Sequence, residues 1–142
     1  MDRNIPSGFE LIALGVGYSD AFGPVYVNRN DARIAFWVDH RHLNPVSACH
    51  GGAMATFADM QIAAFEPGAG TAASHTPTIS MHVDYVAPAP LGAWVEAAVT
   101  LVKKTPTLIF TQAIITADGH SVARSHAIYR IYRNRRSGEG AG

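Results

Sequence analysis

The sequence predicts a single α+β domain in which a curved antiparallel β-sheet wraps one long central α-helix. Three observations carry that expectation. Segments with strict apolar–polar alternation fill the second half of the chain, and only one stretch, from residue 51 to about residue 65, is rich in helix formers without that alternation. That stretch is apolar nearly all round, so a sheet of five or six strands must enclose it. The length, 142 residues, is that of one domain able to bury roughly 68% of its unfolded surface.

The elements follow in chain order. Residues 1–23 mix glycine, proline and apolar positions without a period and are expected to form an irregular N-terminal segment or lid, with a short strand possible in "FGPVYVNRN". The main domain is placed at 24–133. "ARIAFWV" alternates Ala32, Ile34, Phe36 and Val38 against Arg33, Ala35 and Trp37, as a strand with one face on a core does. The helix is expected to start at Gly51 and stop before Pro67 and Gly68. "TISMHVDYVA" then alternates Ile79, Met81, Val83 and Tyr85 against Thr78, Ser80, His82 and Asp84, until "PAPLG" breaks it. "AWVEAAVTLV", "TLIFTQAIITA" and "SVARSHAIYRIY" read as a meander, the last two joined by an Asp118-Gly119 hairpin signal. Residues 134–142 read as a flexible polar tail.

Composition narrows the function classes. With 48% hydrophobic and 15% charged residues and zero formal charge, the chain is globular and lacks the overall basic character of a nucleic-acid binder. No run approaches the roughly 20 apolar residues that cross a bilayer. Cys49 is the single cysteine and Met1–Pro6 has no apolar signal core, so a reducing, cytoplasmic setting is expected. His40 and His42 share a face if extended but have no third ligand at a sensible spacing, so no metal is expected. Cys49 beside His50 lacks an ordered acid and reads as a loop or core residue. Lys103, Lys104, Arg130, Arg133, Arg135 and Arg136 form two local basic patches suited to a small polyanion, although ordinary solvated charge explains any one of them as well.

The stretch "NPVSACHGGAMATFADMQ", residues 44–61, carries the chemistry. If the helix begins at Gly51, its first amides have no acceptor inside the helix and lie at the electropositive end of its dipole, which makes an oxyanion site. Glycines at 51 and 52 let a carbonyl approach the backbone, or simply let the chain turn. Asp59 lies about 12 Å further along the axis, at 1.5 Å per residue. One carboxylate cannot span that gap, so if both groups serve one carbonyl, Asp59 must act in a second subunit's site. Gly52, Ala55, Thr56, Asp59 and Ala63 fall on one stripe whose small residues would let two helices approach. The alternative is a buried Asp59 paired structurally, for instance with Gln61 or a histidine.

Asn44, His50, Gly51, Gly52 and Asp59, followed by "TISMHVDYVAPAPLG", resemble the signature of hotdog-fold acyl-CoA thioesterases of the phenylacetate-degradation (PaaI-like) type. The resemblance spans about Asp31 to Tyr132 and implies a cofactor-free hydrolase of acyl-CoA, built as a homodimer or dimer of dimers. It implies that Asp59 is the base or nucleophile, that the Gly51 amide polarises the thioester, that Asn44 and His50 orient water and loop, and that Thr78 stands near the catalytic water. Gly52, Met54, Phe57, Met81 and Tyr85 are the candidate acyl-pocket residues, equally suited to a core. A non-catalytic acyl-CoA-binding module and a hotdog dehydratase are the alternatives. Ser47 stands where the family often has glycine, and a positive φ there would strain it.

Overall fold

The computed structural model describes residues 3–66 and 74–133. In chain order the elements are β1 (Glu10–Leu11), α1 (Tyr18–Phe22), β2 (Tyr26–Asn28), β3 (Arg33–Trp37), α2 (Gly51–Ala58), β4 (Ser74–His75), β5 (Thr78–Tyr85), β6 (Trp94–Lys104), β7 (Leu108–Ala117), β8 (His120–Arg130) and β9 (Tyr132–Arg133). Seven strands form one antiparallel sheet in the order β1-β2-β3-β6-β7-β8-β5, and β4 pairs with β9. This is the α+β hotdog arrangement, with one more strand than the sequence suggests. The extra strand comes from residues expected to be irregular: Glu10 and Leu11 pair with Val27 and Tyr26, so the N-terminal segment joins the sheet.

The meander forms as its alternation dictates, except on β6 beyond Val99, where a bulge between Leu101 and Lys103 leaves Leu101 and Val102 both exposed. On β8, Ala123, Ser125, Ala127 and Tyr129 are buried while Arg124, His126 and Arg130 are exposed. Asp118 and Gly119 both have positive φ, +47° and +85°, as a two-residue turn of the I′ type requires. The inner face of the sheet packs on α2 through Phe57, whose ring lies 4.6 Å from that of Phe36, and through Met54 and Ala58. A smaller cluster of Ile62, Ile109, Ala127, Tyr129 and Ile131 continues the core past the helix end.

The helix is shorter than expected. α2 stops at Ala58, and a 3-10 turn, Gln61–Ala64, takes over after Asp59 and Met60. The terminal carbonyls explain the change. The Gln61 side-chain amide donates to the Ala58 carbonyl at 2.9 Å and the Tyr129 hydroxyl to that of Asp59 at 2.8 Å, satisfying acceptors that a longer helix would have used. Gln61 is fully buried, with its remaining capacity met by the Thr111 and Ser125 hydroxyls. Asp59 therefore caps the helix rather than interrupting its middle.

The alternation of β5 also fails at one point, and that point matters. A bulge between Thr78 and Ser80 shifts the register, so Thr78 pairs with Tyr129 while Met81, Val83 and Tyr85 pair with Ala127, Ser125 and Ala123. Paired residues share a face, so the bulge turns Thr78 to the inner side with Met81, away from His82 and Asp84. Ile79, expected on the core side, is left 55% exposed.

Candidate active site

The site is built where the two ends of α2 meet β5. At the C-terminal end, the Thr78 hydroxyl donates to Asp59 Oδ1 at 2.6 Å. At the N-terminal end, the Tyr85 hydroxyl donates to the Gly51 carbonyl at 2.7 Å. The helix thus runs along the edge strand in the opposite direction, with its acid near the start of β5 and its first turn near the end.

The Asp59 carboxyl is half-buried, and burial holds its pKa above the ordinary 3.8, opposed by the Thr78 hydrogen bond, which favours the ionised form. Its bond is to Thr78 and not to Gln61, so the structural pairing considered for Gln61 is not made. Asp59 faces a cavity of about 420 Å³ that also exposes Gly52, Ala55, Thr56, Ala63 and Met81. All five members of the small-residue stripe therefore share one open face. Part of that face is covered by the chain's own Tyr18, whose hydroxyl lies 2.9 Å from Thr56 Oγ1, so a second helix cannot lie along the whole stripe.

His50 is the N-cap of α2, and its Nδ1 accepts from the Gly52 amide at 2.8 Å. That donor is spent within the chain. The Gly51 amide donates to no backbone acceptor among the described residues, which leaves it as the helix-tip donor of the two. A Cβ on Gly52 would stand 3.1 Å from His50 Nδ1, so the glycine lets the histidine cap; a Cβ on Gly51 would come no nearer than 3.5 Å to the Tyr85 ring and hydroxyl, an ordinary contact. Asn44 organises the preceding loop: its Oδ1 accepts from the Val46 and Ala48 amides, both at 3.0 Å. Ser47, inside that loop, has φ +62°, so the position does demand the left-handed region and serine is strained there.

Other candidates fall elsewhere. Met54 and Phe57, 4% and 0% exposed, belong to the core and do not line the cavity, because the inner sheet face meets α2 on that side. Tyr85 serves the helix tip instead of the cavity. Lys104 pairs with the nearly buried Glu66, and Arg130 lies over the Tyr132 ring. The Arg133 side chain, Arg135 and Arg136 lie outside the described residues. Burial raises the Cys49 thiol to about 11, which keeps it protonated and poorly nucleophilic. His42 is buried, held by the Asp39 amide and the Phe22 carbonyl, and Asp84 bridges His82 to Arg124 across the strands. No cluster of three or more metal-ligating side chains occurs among the described residues, and no helix there is long and apolar enough to cross a membrane. Sequence reasoning missed Tyr18 and Tyr129, whose partners lie 38 and 70 residues away and leave no local trace.

The sheet wrapped on α2, with His50 capping the helix at its two glycines and Asp59 facing the cavity, is the framework on which the family match falls. The chain belongs to the thioesterase superfamily, whose family model matches residues 47–123. A Pseudomonas aeruginosa protein assigned as an esterase is 24% identical over 136 residues, covering 90% of this chain and 98% of its own. Among solved structures, a mutant of the Thermus thermophilus phenylacetic acid degradation protein PaaI superposes with a TM-score of 0.58 at 21% identity, over 87% of this chain and 92% of that one. A Streptococcus pneumoniae hypothetical thioesterase with coenzyme A gives 0.61 at 15% identity, over 91% and 92%.

Proposed function

We propose that this thioester hydrolase cleaves aryl or short- to medium-chain acyl-CoA to the free acid and coenzyme A, in a homodimer whose two chains share each site. The observation that carries this reading is the Thr78–Asp59 hydrogen bond facing the cavity. Thr78 fixes one carboxylate oxygen and leaves the other to take a proton from water as that water attacks the thioester carbonyl. The carbon–sulfur bond then breaks and the coenzyme A thiolate departs. Hydrolysis of this kind consumes only water.

The oxyanion donor in this scheme is the Gly51 amide of the other subunit. β5 is an edge strand, and Ile79, Tyr85 and Val86 on or beside it are 55–63% exposed. Two copies of β5 paired antiparallel about a two-fold axis would bring the Thr78 end of one beside the Tyr85 end of the other. Each Asp59 would then lie by the opposite chain's Gly51. The S. pneumoniae relative was solved with coenzyme A, and a Streptococcus mutans neighbour with acetyl-CoA, which supports this ligand class.

Thiol release from a panel of aryl and aliphatic acyl-CoAs tests the reading. Wild type is expected to turn over at least part of the panel, and Asp59→Ala to keep the fold but lose about a hundredfold or more. Full activity in Asp59→Ala would remove Asp59 from the chemistry, and binding without thiol release would replace the enzyme with a binding module. Single turnover in labelled water separates base from nucleophile, because only an anhydride route passes label into Asp59.

A further inference from the structure

The cavity that holds Asp59 has one wall that the hydrolytic chemistry does not require. Ile12, Leu14, Tyr18 and Ser19 line it opposite α2. This strip of chain is fastened at both ends. On one side β1 pairs with β2, Glu10 bonds Arg29 at 2.5 Å, and the Ile12 amide donates to the Val25 carbonyl at 2.8 Å. On the other side Phe22 is buried against Phe36 and His42, at ring distances of 5.0 and 4.5 Å. Between the anchors, Gly15 and Gly17 adopt φ of +76° and +94°, and Val16 is 94% exposed.

Across the mouth, the strip is tied to the helix by the Tyr18–Thr56 hydrogen bond. Thr56 gives its single hydroxyl hydrogen to the Gly52 carbonyl at 2.9 Å, so Tyr18 is the donor in this tie. Removing the phenol therefore releases the latch without orphaning Thr56. Ile12 and Leu14 are half-buried and face a cavity also lined by Met60 and Met81, a surface suited to hydrocarbon.

Resting on the acyl-CoA reading above, we propose that residues 12–19 form the wall of the acyl pocket, latched by Tyr18 to Thr56, and set the largest acyl group that the site admits. Compact acyl groups fit behind the closed strip. Longer chains must displace it, breaking the latch and moving the Gly15–Gly17 turn.

The test pairs binding with turnover. Dissociation constants are measured for S-alkyl-CoA thioethers of rising length, from ethyl to decyl, which cannot be hydrolysed, beside thiol release from the matching acyl-CoAs. Tyr18→Ala and Leu14→Ala are expected to favour decyl over ethyl by about tenfold more than wild type, the scale on which a methylene-sized change in an apolar pocket discriminates. Leu14→Phe is expected to reject the longest ligands. Tyr18 is an exposed residue, so its variant keeps the measurement meaningful should the Leu14 variants unfold. Length profiles parallel to wild type in Tyr18→Ala would overturn the proposal, as would a wild type that binds no thioether. A wild type inert toward every acyl-CoA whose thioether profile still shifts would remove the hydrolase reading and keep the wall; an active one whose profile does not shift would remove only the wall.

Discussion

Subunit mixing gives the sharpest test of a shared site. Asp59 sits about 12 Å along the axis from Gly51, by helix rise, so an acid and an amide of the same chain cannot grip one carbonyl. Two single-site variants separate them. Asp59→Asn removes the base. Gly51→Pro removes the amide hydrogen with little distortion: position 51 is the first of the helix, where proline is accommodated, and His50 before it has φ −62° and ψ 139°, the extended backbone that precedes proline. Each homodimer is expected to retain about 1% or less of wild-type turnover. After unfolding and refolding an equal mixture, half of the dimers are mixed, and each mixed dimer has one intact site of two, so about a quarter of wild-type activity should return. Thiol release follows the recovery, with differently tagged chains to verify exchange. Verified exchange without recovery above the parents would refute the shared site.

Further outcomes follow from individual contacts. Thr78→Val keeps volume but deletes a charge-assisted hydrogen bond; in this half-exposed setting the loss is about 1.5 kcal/mol, or roughly tenfold in kcat, while Thr78→Ser retains most activity. The same loss moves the acid limb of the pH–rate profile upward, because a donor to the ionised form is gone. For stability the sign is opposite to that of a salt-bridged carboxylate. The Asp59 pKa is raised on folding, so its contribution is present below the ordinary 3.8 and lost as pH rises through the folded value. Asp59→Asn should therefore melt no lower than wild type at pH 7, a lower Tm there counting against the burial argument. Cys49→Ala should leave turnover unchanged, and a dead variant would reopen the thiol as nucleophile. Gln61→Leu strands the buried Thr111 hydroxyl and frees the Ala58 carbonyl, while Ser125 keeps its bond to the His82 carbonyl, and should cost about 1–3 kcal/mol in chemical denaturation, with Thr111→Val relieving part of the loss.

Much of this molecule is written locally. Alternation along β7, β8 and the first half of β6, the Asp118-Gly119 turn and the His50-Gly51-Gly52 helix start depend on neighbours within a few residues, and the structure reproduces them. The stripe from Gly52 to Ala63 was legible for the same reason: helical spacing alone puts its members on one face. What the sequence could not reveal is which strand positions break their own period. Thr78 reaches Asp59 only because a bulge opposite Tyr129 and Ile128 inserts one residue into β5, and nothing within β5 announces it.

The helix end and the cavity wall were likewise decided in three dimensions. Ala and Met favour continuing the helix past residue 58, but Gln61 and Tyr129 claim its last carbonyls, the one reaching Ser125 and Thr111 and the other arriving from β8. Residues 10–22 lack any sustained period because they bind to three different elements in turn: β2, the stripe of α2, and the aromatic core. Local sequence thus determined the strands, the turn and the residues available for chemistry. Contacts between residues far apart in the chain decided which of them meet, because a hydrogen bond or a wall between distant segments exists only once the chain has closed on itself.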